Sequence, residues 1–166
     1  IAPFAAHQGK IYPIEKMEQV VDIISRRHPS CRIFFFGGGQ SEMDIINSLV
    51  EKYPNSINAS ANLGGLRNEL TLMSHLDVMV SMDSSNMHMA SLVGCPVVSV
   101  WGATHPFAGF MGWGQKEADT VQVDLPCRPC SIYGNKPCLR GDYACLNSIE
   151  PETVADHIEN VLTRII

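Results

Sequence analysis

Short apolar runs alternate along the chain with longer stretches in which apolar residues return every three or four positions. The runs predict strands at 1–6, 32–36, 56–59, 78–82, 97–101 and 120–123, and the stretches predict helices at 13–28, 42–53, 66–75, 85–93 and 151–165. In 13–28, Ile14, Met17, Val20, Val21 and Ile24 share one face; Pro13 suits the first turn and Pro29 ends the helix. In 42–53, Ile45, Ile46, Leu49 and Val50 turn inward. Gly37-Gly38-Gly39 closes the second run, and Gly94 with Pro96 stops the helix at 85–93. Strands alternating with helices imply βαβ units, hence an α/β fold with a parallel sheet flanked by helices on both faces.

In open parallel sheets, ligands collect beyond the carboxyl ends of the strands, at helix N-termini. The loops at 7–10, 37–42, 83–88 and 102–106 would all open on that edge. In the third, Asp83-Ser84-Ser85-Asn86-Met87-His88 carries a buried strand straight into a helix. Small polar residues there let amides and hydroxyls point at an anion, the helix dipole adds attraction, and His88 lies one turn in. A diphosphate fits that geometry; the competing reading is that Asp83 or Ser84 caps the helix and His88 packs beneath. Lys10 can neutralise diphosphate charge, or be a solvated surface lysine. Glu42 can accept ribose hydroxyls, or only complement its helix dipole. Thr104 is placed to meet phosphate or sugar, or simply to form a turn before Pro106. The aromatic, Gly-rich stretch at 107–113 suits a rim over a sugar.

Composition narrows the partners. Of 166 residues, 45% are hydrophobic and 17% charged, enough to build one domain with a proper core and hardly two. A net charge of −5 argues against nucleic acid, whose backbone asks for a basic face. No apolar run approaches the roughly 20 residues that cross a bilayer, so no transmembrane segment is expected. Residues 1–6 are too short for a signal peptide and open mid-strand without an initiator Met, which reads as a fragment of something longer.

The one compositional break runs from 126 to 146, rich in Cys, Pro, Gly and Tyr. Cys127-Arg128-Pro129-Cys130 followed by Cys138 and Cys145 could hold a structural zinc, with reduced thiols or disulfides as the alternatives. Four thiolates would leave zinc no open position for catalysis. Cys31 and Cys95 sit in apolar segments and read as buried thiols in a reducing compartment.

Asp83-Ser84-Ser85-Asn86-Met87-His88-Met89-Ala90-Ser91, then Gly94-Cys95-Pro96-Val97-Val98-Ser99-Val100-Trp101-Gly102-Ala103-Thr104, then Pro106, resembles the signature of the heptosyltransferases, glycosyltransferase family 9. The 66–77 stretch with Glu69-Leu70, Lys10 with Pro13, and the Gly-rich turn ending at Glu42 are similar to the family too. Ser85 departs from it, standing where the family usually has Gly. The resemblance implies a Rossmann-like domain, the C-terminal, donor-binding half of a two-domain GT-B glycosyltransferase, over the whole of 1–166. It implies Lys10, Asp83, Ser84, Ser85, Asn86 and His88 for the donor diphosphate, Glu42 for ribose, and Thr104 beside them. Heptose would pass from ADP-heptose to a lipopolysaccharide core acceptor with inversion. The chemistry would need no cofactor, and the catalytic base would lie in the other domain. Such an enzyme works in the cytoplasm, peripheral to the inner membrane. The rival readings are a nucleotide-sugar epimerase of similar build, and a non-catalytic interaction module with the Cys-rich loop as its contact surface.

Overall fold

The computed structural model describes residues 1–165. Five parallel strands are β1 (Ile33–Phe35), β2 (Ser56–Asn58), β3 (Met79–Met82), β4 (Val97–Val100) and β5 (Thr120–Val121). β1 pairs with β2, while β4 lies between β3 and β5. The first residues join the two groups. Ile1 N donates to Phe34 O at 2.7 Å and Ile1 O accepts from Phe36 N at 2.9 Å. On the other side Ala2 N donates to Val80 O at 2.8 Å, and Ala2 bridges Ser81 in parallel. The layer therefore runs β2, β1, the opening segment, β3, β4, β5. Counted from that segment, this is the 3-2-1-4-5-6 order of doubly wound folds, whose crevice opens where the order reverses, between the opening segment and β3.

The expected strand at 1–6 contracts to that single bridge, because Pro3 has no N–H to continue a ladder. The helices are α1 (Ile14–Arg27), α2 (Gln40–Lys52), α3 (Ala59–Leu63), α4 (Leu66–Met73), α5 (Ser85–Leu92), α6 (Ala144–Asn147) and α7 (Pro151–Ile165). The periodic ones fall where the pattern puts them. α3 and α6 are too short to show a period, although Asn58 caps α3 by accepting from Ala61 N at 3.1 Å.

Alternate strand residues feed opposite layers, as the pleat requires. Val80, Met82, Val98, Val100 and Val121 pack on Met17, Val20 and Ile24 of α1 and on Val154, Ile158 and Val161 of α7. α2 covers the same face further along, setting Ile46 and Leu49 on Ile33 and Phe35. On the opposite face Met79 and Val97 meet Met73 of α4, Met87 and Ala90 of α5, and Ala59 of α3. Every residue of β3 and β4 is buried, which is why both read as unbroken apolar runs. Among the described residues no helix is long and apolar enough to cross a membrane.

Ile158 ties the last helix to the sheet at 3% exposure. Ile158→Ala should therefore cost about 3 kcal/mol, whereas Thr163→Ala on the outer face of α7 should stay within ~0.5 kcal/mol. Urea unfolding of the two variants checks this.

Candidate functional site

A cleft of about 680 Å³ opens where the strand order reverses. Seven of the eight residues expected to hold a donor line it: Lys10, Glu42, Asp83, Ser84, Ser85, Asn86 and His88. Two helix N-termini face it, those of α2 and α5, so their unpaired first-turn amides and positive dipole ends converge on one space.

Ser84 occupies the N-cap position of α5 but makes no capping bond; its hydroxyl lies 3.2 Å from Ser81 Oγ instead. The capping reading of this loop thus finds no bond to support it, and the first-turn amides face the cleft. Ser85 opens the helix, and Tyr143 is the one non-glycine with positive φ among the described residues. A serine in the place of the family's glycine can therefore present its amide without backbone strain. His88, one turn on, is exposed at the rim.

Asp83 follows β3 directly and is 3% exposed. Its Oδ2 takes both Lys10 Nζ at 2.9 Å and the Thr104 hydroxyl, which donates at 2.9 Å. Thr104 is completely buried, so it stands behind the cleft and acts on it only through Asp83. Lys10 is held at the end of a single 3-10 turn at Gln8–Lys10 whose Gly9 carbonyl accepts from Ala103 N at 2.8 Å. Its aliphatic stem lies on Gly134: a Cβ there would come within 2.7 Å of Lys10 Cγ and Cε, and the φ of +74° favours glycine as well. Glu42, in the first turn of α2, reaches back to accept from Gly38 N at 2.7 Å through Oε2 and so stiffens the glycine turn.

Phe4, His7, Phe110 and Tyr133 add rings to the lining. Phe110 comes from the aromatic stretch expected to form a rim. Tyr133 was not singled out, and its signal is slight: one aromatic beside a glycine in an irregular segment. The two rings pack tilted, with centroids 5.7 Å apart.

The family model for glycosyltransferase family 9 (heptosyltransferase) matches residues 1–138. The chain belongs to this family. The lipooligosaccharide heptosyltransferase 2 of Campylobacter jejuni subsp. jejuni serotype O:2 is 26% identical over 133 residues, which cover 78% of this chain and 40% of that protein. Among solved structures, E. coli ADP-heptose lipopolysaccharide heptosyltransferase II superposes with a TM-score of 0.74 at 17% identity, over 98% of this chain and 45% of its own. E. coli heptosyltransferase WaaC, solved with ADP, gives 0.67 at 17%, over 96% and 42%. The chain spans about two-fifths of the curated relative it matches. Neither an epimerase nor an interaction module finds support in these matches.

In this family-9 chain the Cys-rich segment packs against the cleft edge of the sheet, through Tyr133 and Gly134, rather than forming a separate lobe. Cys127, Cys130, Cys138 and Cys145, expected to hold zinc, all belong to this segment, and among the described residues no group of three His, Cys, Asp or Glu side chains stands close enough to hold a metal ion. The segment is organised around Arg128, whose guanidinium takes backbone carbonyls on both sides of it. The thiols differ among themselves. The Tyr143 amide, helped by those of Arg140, Gly141 and Asp142, hydrogen-bonds the Cys138 sulfur and holds its pKa below the usual thiol value. Burial pushes Cys145 up and takes Cys95 to about 11.

More thiolate at a given pH means faster alkylation. Iodoacetamide near neutral pH should thus label Cys138 well before Cys145 and Cys95, with the Cys138 rate levelling off at lower pH than the others. Peptide mass spectrometry reads the order; a Cys138 slower than Cys145 would contradict this account.

Proposed function

We propose that this chain is the donor-binding part of a glycosyltransferase that moves heptose from ADP-heptose to a lipopolysaccharide core acceptor. The supporting observation is a single constellation: a lysine paired with a buried carboxylate, beside two uncapped helix N-termini, at the switch point of a parallel sheet. The relatives' names point the same way, since the solved WaaC carries ADP in one structure and ADP-2-deoxy-2-fluoro heptose in another.

In this reading the diphosphate lies across the first turn of α5 and accepts from its free amides. Lys10 Nζ has three donors, of which Asp83 takes one, and the others turn to phosphate oxygens. As the bond from the sugar to the diphosphate breaks, negative charge grows on the departing nucleotide. Donors fixed in advance at that point lower the barrier without having to reorganise. Glu42, stiffened by Gly38, faces the ribose hydroxyls, and His88 reaches the sugar side of the diphosphate. The base that takes the acceptor's proton is supplied from outside these residues. The acceptor is a lipid-anchored saccharide at the cytoplasmic face of the inner membrane.

The test is calorimetry on the full-length protein with ADP and with adenosine. Lys10→Ala should weaken ADP about tenfold, ~1.4 kcal/mol, while adenosine changes less than about twofold. Equal losses for both ligands, or a native protein that binds no ADP, would overturn the proposal.

A further inference from the structure

The loop that follows β4 carries both restraints on Lys10. Ala103 N holds the Gly9 carbonyl of the turn ending in Lys10, and Thr104 Oγ1 holds the carboxylate with which Lys10 pairs. This loop has no regular structure to fix it, and its own carbonyls need partners. Each of them is taken by the Cys-rich segment. Arg128 Nε donates to Gly102 O at 2.6 Å, and Nη2 donates to Thr104 O at 3.0 Å and to Trp101 O at 3.4 Å. Ala103 O accepts from Cys130 N at 3.2 Å and Ser131 N at 3.4 Å. Nη1 donates to Val123 O, and Nη2 also reaches Gln122 Oε1 at 3.0 Å. One planar, multiply donating group thus ties the residues that follow β5 to the loop that follows β4.

We infer that Arg128 is a positioning residue for Lys10: it moulds the Trp101–Thr104 loop so that the lysine and its carboxylate partner meet the donor diphosphate in one geometry. The inference rests on reading the cleft as a diphosphate site. Lysine could not replace the arginine, because a single ammonium cannot reach carbonyls spread around the edge of a guanidinium. The contact set also gives the Cys-rich segment a purpose that needs no metal. It moulds the loop that carries Thr104, and Gly134, midway along it, is the floor under the Lys10 stem.

The experiment compares Arg128→Ala, Arg128→Lys and Thr104→Val in the full-length protein, by calorimetry with ADP and adenosine and by the rate at which acetic anhydride modifies Lys10 without nucleotide. Arg128→Ala should weaken ADP about tenfold and adenosine by less than about twofold. It should add no further loss in a Lys10→Ala background, because coupled residues are not additive. Lys10 should become several-fold faster to acetylate once its loop is released. Arg128→Lys should behave as the alanine variant does. Thr104→Val, close to isosteric, should reproduce the faster acetylation if Arg128→Ala does not fold. Unchanged ADP binding in folded variants, equal losses for ADP and adenosine, or additive losses with Lys10→Ala would overturn the inference. If the native protein binds no ADP, the donor-site reading fails by itself, and Lys10 acetylation alone then decides whether Arg128 positions the lysine.

Discussion

A carboxylate buried at the end of a central strand must be paired, or the strand end will not stay closed over it. Asp83 is that group. Its cation comes from the turn after the opening segment and its hydroxyl donor from the loop after β4, so one oxygen draws three separate stretches of chain onto the same edge. Replace either partner and the remaining charge is left buried and half-satisfied, which is why neither Lys10 nor Thr104 is free to drift. Close approach completes the seam: a Cβ on Gly102 would meet the Gly9 carbonyl and the Leu146 side chain.

The sheet decides where this seam lies. Ile1 bonds to β1 on one side while Ala2 bonds to β3 on the other, and after Ala2 the backbone leaves the ladder at Pro3. Connections on either side of that point run to opposite ends of the layer, leaving a crevice between them that no crossover fills. Into it project the N-terminus of α2 from one half and that of α5 from the other. The same topology packs α1 and α7 as a continuous layer on one face of the sheet, holding the strands from which the crevice loops spring.

Much of this was legible in the sequence, for reasons that differ by element. β3 and β4 are buried on both faces and announce themselves as apolar runs, and the long helices show their period plainly. The lining of the cleft was legible because the carboxyl edge of a parallel sheet gathers the loops after strands, and those loops carried Lys10, Glu42 and the Asp83–His88 stretch. What stayed hidden was pairing. Nothing in a one-dimensional string says that Thr104 turns its hydroxyl to Asp83 rather than to a ligand, or that Glu42 spends an oxygen on Gly38. The Cys-rich segment held its partners back for a related reason. Its four thiols show in the spacing, whereas the hydrogen bonds of Arg128 to surrounding carbonyls leave no mark on it.

Under the proposed function, the charge balance of the cleft means that geometry has to carry the binding. Among its lining residues one lysine, Lys10, stands against two carboxylates, Glu42 and Asp83, a formal sum of −1 apart from the histidines, in a chain whose net charge is already −5. Bulk attraction cannot bring a nucleotide diphosphate to such a place. What can is a set of donors already aimed and kept from their alternatives: first-turn amides without a capping side chain, and an ammonium whose position is fixed by its own counter-ion. Asp83 weakens the lysine's field but orients it. That exchange is favourable where a departing diphosphate must be met at one point in space, because a fixed donor acts on the developing charge without first having to reorganise.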